Sequence, residues 1–220
     1  YSSQTLWKNS YGEYDRSFFW EKIDTSSIFE GLKISKSNQY DKYRNKYDVI
    51  SIDFSKMPRD CTSYTEYIDK IEVNLIRDLQ KEYPQVQIYK DDSAADVLET
   101  IFEECEQKRF VFVFDEWDFI FHKEFVTEED KKKYILFLSN LLKGRSYVQM
   151  TYMTGILPIA KYSSGSELNM FWEYTMASET KYNKYFGFTD SMVRRLNNAN
   201  LKTSIENNNN CNIMWNIICQ

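Results

Sequence analysis

Histidine is nearly absent: His122 is the single one in 220 residues. Ser-His-Asp triads, Cys-His pairs and His-based metal centres each draw on at least one placed imidazole. Any catalysis therefore falls to carboxylates, lysines or a bound cofactor. The four cysteines, at 61, 105, 211 and 219, form no C-x-x-C spacing, which excludes the common zinc and thiol-redox motifs and leaves them as reduced thiols. No stretch approaches the roughly 18 apolar residues that a membrane span needs. The first residues, Tyr1-Ser-Ser-Gln-Thr-Leu-Trp-Lys8, show no basic region followed by an apolar run. The expectation is a soluble, cytoplasmic chain with no membrane partner. A net charge of −5 supplies no bulk basic surface, so nucleic acid is not favoured as a partner. Glycine is scarce as well. The six, at 12, 31, 144, 155, 165 and 187, include no pair five apart and none followed by Lys-Ser or Lys-Thr, so the sequence holds no Gly-x-x-x-x-Gly-Lys-Ser/Thr phosphate loop.

What is present suits one α/β core, with 42% hydrophobic and 28% charged residues. Val49-Ile-Ser-Ile-Asp-Phe54 alternates and is β-branched, the pattern of a strand, and Met57-Pro58 closes it. Ser63-x-x-Glu66 reads as a helix start, with Ile68, Ile71, Leu75 and Leu79 on one face and Tyr83-Pro84 as the stop. Ser93-Ala-Ala-Asp96 opens a second helix carrying Leu98, Ile101, Phe102 and Cys105. Phe110 to Phe114 is unbroken by any polar residue, which predicts a central strand of a parallel sheet buried on both faces. Thr127-x-x-Asp130 opens a third helix that meets Gly144, and Tyr147 to Met153 predicts another strand. Strands alternating with helices of this length imply crossover connections and a parallel sheet.

The apolar strand ends in Asp115-Glu116. Ligands of open α/β sheets bind at the carboxyl ends of strands, so both acids face the expected crevice. In P-loop nucleotide hydrolases such an Asp helps hold Mg²⁺, which prefers hard oxygen ligands, and a following Glu polarises the attacking water. Equally, a buried strand has to end somewhere in solvated charge. The next strand runs into Thr154-Gly155, placing a hydroxyl at the same sheet edge.

Six short segments, in order, resemble the AAA-ATPase-like domain of bacterial proteins in which such a module often precedes a PD-(D/E)XK nuclease-like region. They are Ile28-Phe-Glu-Gly-Leu-Lys-Ile-Ser35, Lys46-Tyr-Asp-Val-Ile50, Phe112-Val-Phe-Asp-Glu-Trp-Asp118 with Ile120-Phe121, Tyr152-Met-Thr-Gly-Ile-Leu-Pro-Ile159, Leu168-Asn-Met-Phe171 and Phe186-Gly-Phe-Thr189. The resemblance covers residues 28–193 and leaves 1–27 unassigned. It implies a P-loop NTPase-like α/β fold, incomplete at both ends, with ATP and Mg²⁺ as cofactors. Asp115 becomes the Mg²⁺-associated carboxylate, Glu116 the water-polarising one and Thr154 a sensor-like residue. Trp117 and Asp118 also match and read as residues that fix the loop beyond the strand. Lys161 and Arg145 read as surface charges.

In that family the phosphate loop lies upstream of the Phe-x-Gly-Leu motif, where residues 1–27 match nothing. After Thr189 the chain runs into an Asn-rich stretch, and residues 194–220 are expected to lack stable structure. Losses at the ends with an intact interior suit a truncated or frame-shifted reading frame. The expectation is a partial domain that carries the acids and neither binds ATP tightly nor hydrolyses it alone. Two alternatives stand beside it: a catalytically silent module that binds an unknown protein partner, and, with much less support, a metal-dependent nuclease using Glu106-Gln-Lys108.

Overall fold

The computed structural model describes residues 17–22, 24–56, 58, 60–162 and 166–175, together with the backbone of Met214–Cys219. Three strands, β1 (Asp48–Asp53), β2 (Phe110–Asp115) and β3 (Val148–Gly155), run parallel in that order. Short helices α1 (Ser26–Phe29) and α2 (Tyr40–Tyr43) precede β1. The crossover from β1 to β2 contains α3 (Tyr64–Glu82) and α4 (Ala94–Glu104), and that from β2 to β3 contains α5 (Glu128–Leu142). Each crossover moves one strand in the same direction, and right-handed connections then place all three helices on one face. The packing agrees: α3 neighbours α4, and α4 neighbours α5.

Local chemistry sets the helix boundaries. Ser93 and Thr127 each accept the amide of the acid three residues on, and Asp96 and Asp130 reach back to the cap amides. Both boxes satisfy amide groups that a helix start leaves without partners. The box read at Ser63 forms only in half. Its hydroxyl accepts the Glu66 amide, but the Glu66 carboxylate turns to the Thr62 amide and hydroxyl instead. Gly144, expected to stop α5, follows it with φ +65.

The core lies between the helices and one sheet face. Phe110, Phe112 and Phe114 share that face with Ile50 and Ile52, and their rings meet edge-on or tilted. Tyr134 of α5 and Phe54 join the cluster with near-perpendicular rings. Val111 and Val113 point to the other face, where Phe18, Phe19 and Tyr47 border a cavity of about 340 Å³ with Val111 and Met150. Both faces of β2 are thus covered, as its unbroken apolar sequence requires.

The sheet extends past β3 in a way the sequence pattern does not announce. A strand β5 (Met214–Cys219) pairs antiparallel with β3, and β4 (Trp172–Thr175) pairs antiparallel with β5. The strand order is β1-β2-β3-β5-β4, a mixed sheet built on a parallel half. Expected to be without a partner element, the segment around Ile213–Cys219 therefore supplies a paired strand; residues 176–213, including most of the Asn-rich stretch, lie outside the described residues. A short helix, α6 (Ile159–Tyr162), follows β3. No helix among the described residues is long and apolar enough to cross a membrane.

Phe112 is fully buried between rings of the same cluster. Truncation to Ala removes those contacts and leaves a cavity, so Phe112→Ala is expected to lower unfolding stability by about 3–5 kcal/mol in urea titration.

Candidate functional site

The carboxyl ends of β2 and β3 converge on one cluster. The Thr154 hydroxyl donates to Asp115 Oδ1, so the two residues expected at the site are brought into direct contact. In-register pairing sets Asp53, at the tip of β1, opposite Asp115. Asp53 is buried and holds the Ser55 amide at 3.0 Å and hydroxyl at 2.6 Å through Oδ1, with Lys56 Nζ 3.3 Å from Oδ2. The sequence reading passed over Asp53 because it counted only as a strand residue. Its parallel register with an acid-tipped neighbour was the signal that could have raised it.

Glu116 follows Asp115 in the left-handed region, with φ +49, and its amide bonds Asp115 Oδ1 at 3.1 Å. Partial burial raises the Glu116 pKa above its ordinary value, and the neighbouring charges of Asp115, Asp53 and Asp118 add to that. A carboxylate so placed takes up a proton more readily than one in water.

Beyond Glu116 the loop is locked. Trp117 is wholly buried, its amide bonds the Thr154 carbonyl at 3.0 Å, and its carbonyl accepts the Tyr134 hydroxyl at 2.6 Å. Asp118 is 2% exposed; its carboxylate accepts the Ile156 amide at 3.1 Å and the Leu157 amide at 2.8 Å. The loops after β2 and β3 are therefore tied through one buried carboxylate, which is the fixing role the sequence suggested for Trp117 and Asp118. Gly155 makes room for them: a Cβ there would lie 2.4 Å from Trp117 Cδ1 and 2.5 Å from Asp118 Oδ1.

The other candidate residues fall elsewhere. Lys161 is solvent-exposed, with Nζ 5.4 Å from the Tyr162 ring centre. Arg145 donates to the Asn140 carbonyl at 2.7 Å, closing the end of α5. It lies at the opposite end of β3 from Thr154, on the order of 25 Å away by strand rise. Lys108, proposed as half of a nuclease motif, also sits at the amino end of the sheet, bonded to Glu21 at 2.6 Å and Asp48 at 3.1 Å. Burial alone would lower its pKa, but these two carboxylates outweigh it and hold the ammonium above its ordinary value. Tyr83 donates to the same Asp48. The cluster is a structural network in which both carboxylates already serve the lysine.

The acid edge suits one cofactor component better than the other. Mg²⁺ retains several waters and takes only one or two protein carboxylates, a demand that Asp115 meets. Among the described residues, no group of three or more His, Cys, Asp or Glu side chains is placed to hold a metal by itself. For the phosphates of ATP there is no matching cradle: the sequence has no phosphate loop, and Lys56, which follows β1, already pairs with Asp53.

Two substitutions probe this geometry. Gly155→Ala forces a methyl into a fully buried indole and is expected to cost about 1–3 kcal/mol in urea unfolding. Glu116→Gly relieves the left-handed backbone and is expected to gain about 1 kcal/mol. Glu116→Gln separates charge from strain. The folded pKa of Glu116 is raised, so its ionisation costs stability as pH climbs through that pKa. The Gln variant should exceed the parent in stability near neutral pH, with the difference vanishing well below the carboxylate range.

A family model described as a predicted AAA-ATPase matches residues 15–164. The match starts inside the segment left unassigned by sequence and ends before the expected limit at 193. No curated protein and no solved structure matches the chain. With its parallel β1-β2-β3 sheet, its acid-tipped central strand and this match over most of its length, the chain belongs to the AAA-ATPase-like family.

Proposed function

We propose that this chain presents the carboxylate edge of an ATPase site and does not, by itself, bind or hydrolyse Mg·ATP. The observation that carries the reading is the contact between Asp115 and Thr154 across the ends of β2 and β3, with Glu116 held beside it in a left-handed turn. In a complete site, Asp115 would take the Mg²⁺-associated place, Glu116 would accept a proton from water at its carboxylate, and Thr154 would hold Asp115 in position through its hydroxyl. A bound Mg·ATP would supply the electrophilic phosphorus and the cation that offsets its charge.

What the chain lacks determines the outcome. Backbone amides of a glycine loop and its lysine provide the main complement to phosphate charge. No such loop occurs in the sequence, and the carboxylates of Asp115 and Glu116 repel a polyphosphate unless a cation intervenes. The edge is therefore set for a nucleotide that another loop must hold.

Isothermal titration with Mg·ATP tests this directly. The expected result is no saturable binding in the micromolar range and no phosphate release above the buffer blank. Micromolar binding that Asp115→Asn weakens would overturn the reading.

A further inference from the structure

The outer edge of β1 lies alongside a groove whose opposite wall is one face of α3. In the parallel pairing of β1 with β2, Phe54 donates to the Asp115 carbonyl, so the even-numbered residues of β1 bond inward. The odd-numbered residues turn their amides and carbonyls outward, as Tyr47 does in accepting the Glu21 amide at 3.0 Å. Val49 and Ser51 follow the same alternation, and neither makes a backbone bond on that side among the described residues. They form a short open edge directly above the place where the chain already adds a parallel segment, the Trp20–Tyr47 bridge.

Beside this edge lies a cavity of about 80 Å³ bounded by Ser51, Ile52 and Phe54 on the strand side and by Tyr67, Ile71 and Leu75 on α3. Those three helical residues recur at four-residue steps, so a single helix face lines the groove. The charges along it are unequal. Asp53, Lys56 and Lys70 border the end nearest the carboxyl edge of the sheet; Lys56 pairs with Asp53, and Lys70 makes no ion pair among the described residues. Asp78 borders the far end, where Arg77 and Lys81 already neutralise it.

We propose that this groove binds an extended peptide that adds to β1 as a parallel strand, inserts one aliphatic side chain between Ile52, Ile71 and Leu75, and ends in a carboxylate beside Lys70. An edge strand flanked by a helix offers main-chain bonds for affinity and a side-chain pocket for selectivity. Polarity follows from the charges. A parallel peptide brings its carboxyl end to Lys70, since Lys56 is already paired with Asp53, whereas an antiparallel one would bring its ammonium there. Continuity points the same way, since Trp20 already bridges Tyr47 in parallel at the lower part of this edge. The groove shares Asp53 and Lys56 with the acid edge, but its peptide-binding edge, Val49 and Ser51, lies on the outer side of β1.

The test uses N-acetylated pentapeptides of alternating threonine and valine, ending either in aspartate with a free carboxylate or in amidated asparagine. Binding is followed through the backbone amide resonances of the full chain. Expected are saturable shifts at Val49 and Ser51, about two- to fivefold tighter binding of the carboxylate peptide, and loss of that preference in Lys70→Gln. Ser51→Pro removes an outward donor that the sheet does not use, so it should abolish binding while preserving the circular dichroism spectrum. If Ser51→Pro fails to fold, Lys70→Gln and the amidated peptide still decide. Absence of saturable binding at millimolar peptide, equal affinity for the amidated form, or shifts confined to other strands would overturn the proposal. So would shifts at Val49 and Ser51 that track protein concentration alone, since these would assign the edge to a second copy of the chain.

Discussion

One buried carboxylate organises the functional end of this protein. Asp118 lies beyond the tip of the central strand and accepts amides from the loop that follows β3. A buried charge is costly unless its oxygens are bonded, and a buried amide is costly unless it has an acceptor. Each group removes the other's penalty, so the two loops are fixed together. The Trp117 indole fills the remaining space against Gly155, and the Tyr134 hydroxyl holds the Trp117 carbonyl from α5. Asp115, Glu116 and Thr154 stand on the layer that these bonds tie together.

The sequence revealed the parallel half of the fold to a high degree, and for physical reasons. The boundaries of α4 and α5 are encoded in capping residues that act within four positions. Phe110 to Phe114 of β2 holds no polar residue because both faces of the strand are covered there. The pairing of Met214–Cys219 with β3 escaped notice because strand pairing across some 60 residues leaves no local trace. Asp53 escaped for a related reason: its meaning comes from its register opposite Asp115, which is a property of the sheet. The role of Asp118 was suggested by sequence, but its two amide partners depend on the geometry of a second loop.

The role proposed for Asp115 and Glu116 would account for acids crowning a strand that packing alone would leave to any polar residue. The same acids create a problem for an isolated chain. Glu116 is held in a backbone region that disfavours side chains and beside three like charges, and both costs persist without a counter-ion. Under the proposed function, a bound cation would offset the charge part of that cost. The glycine inventory of this sequence offers no loop to bring the phosphate there.

The account rests on the tie between the two loops, and amide hydrogen exchange measures it most directly. In the native chain, the Ile156 and Leu157 amides should exchange as slowly as interior amides of β2 and β3. In Asp118→Asn they should lose most of that protection while β1–β2 amides keep theirs. Fast exchange of Ile156 and Leu157 in the native chain, or a uniform loss across the sheet in the variant, would contradict the claim that Asp118 holds the site.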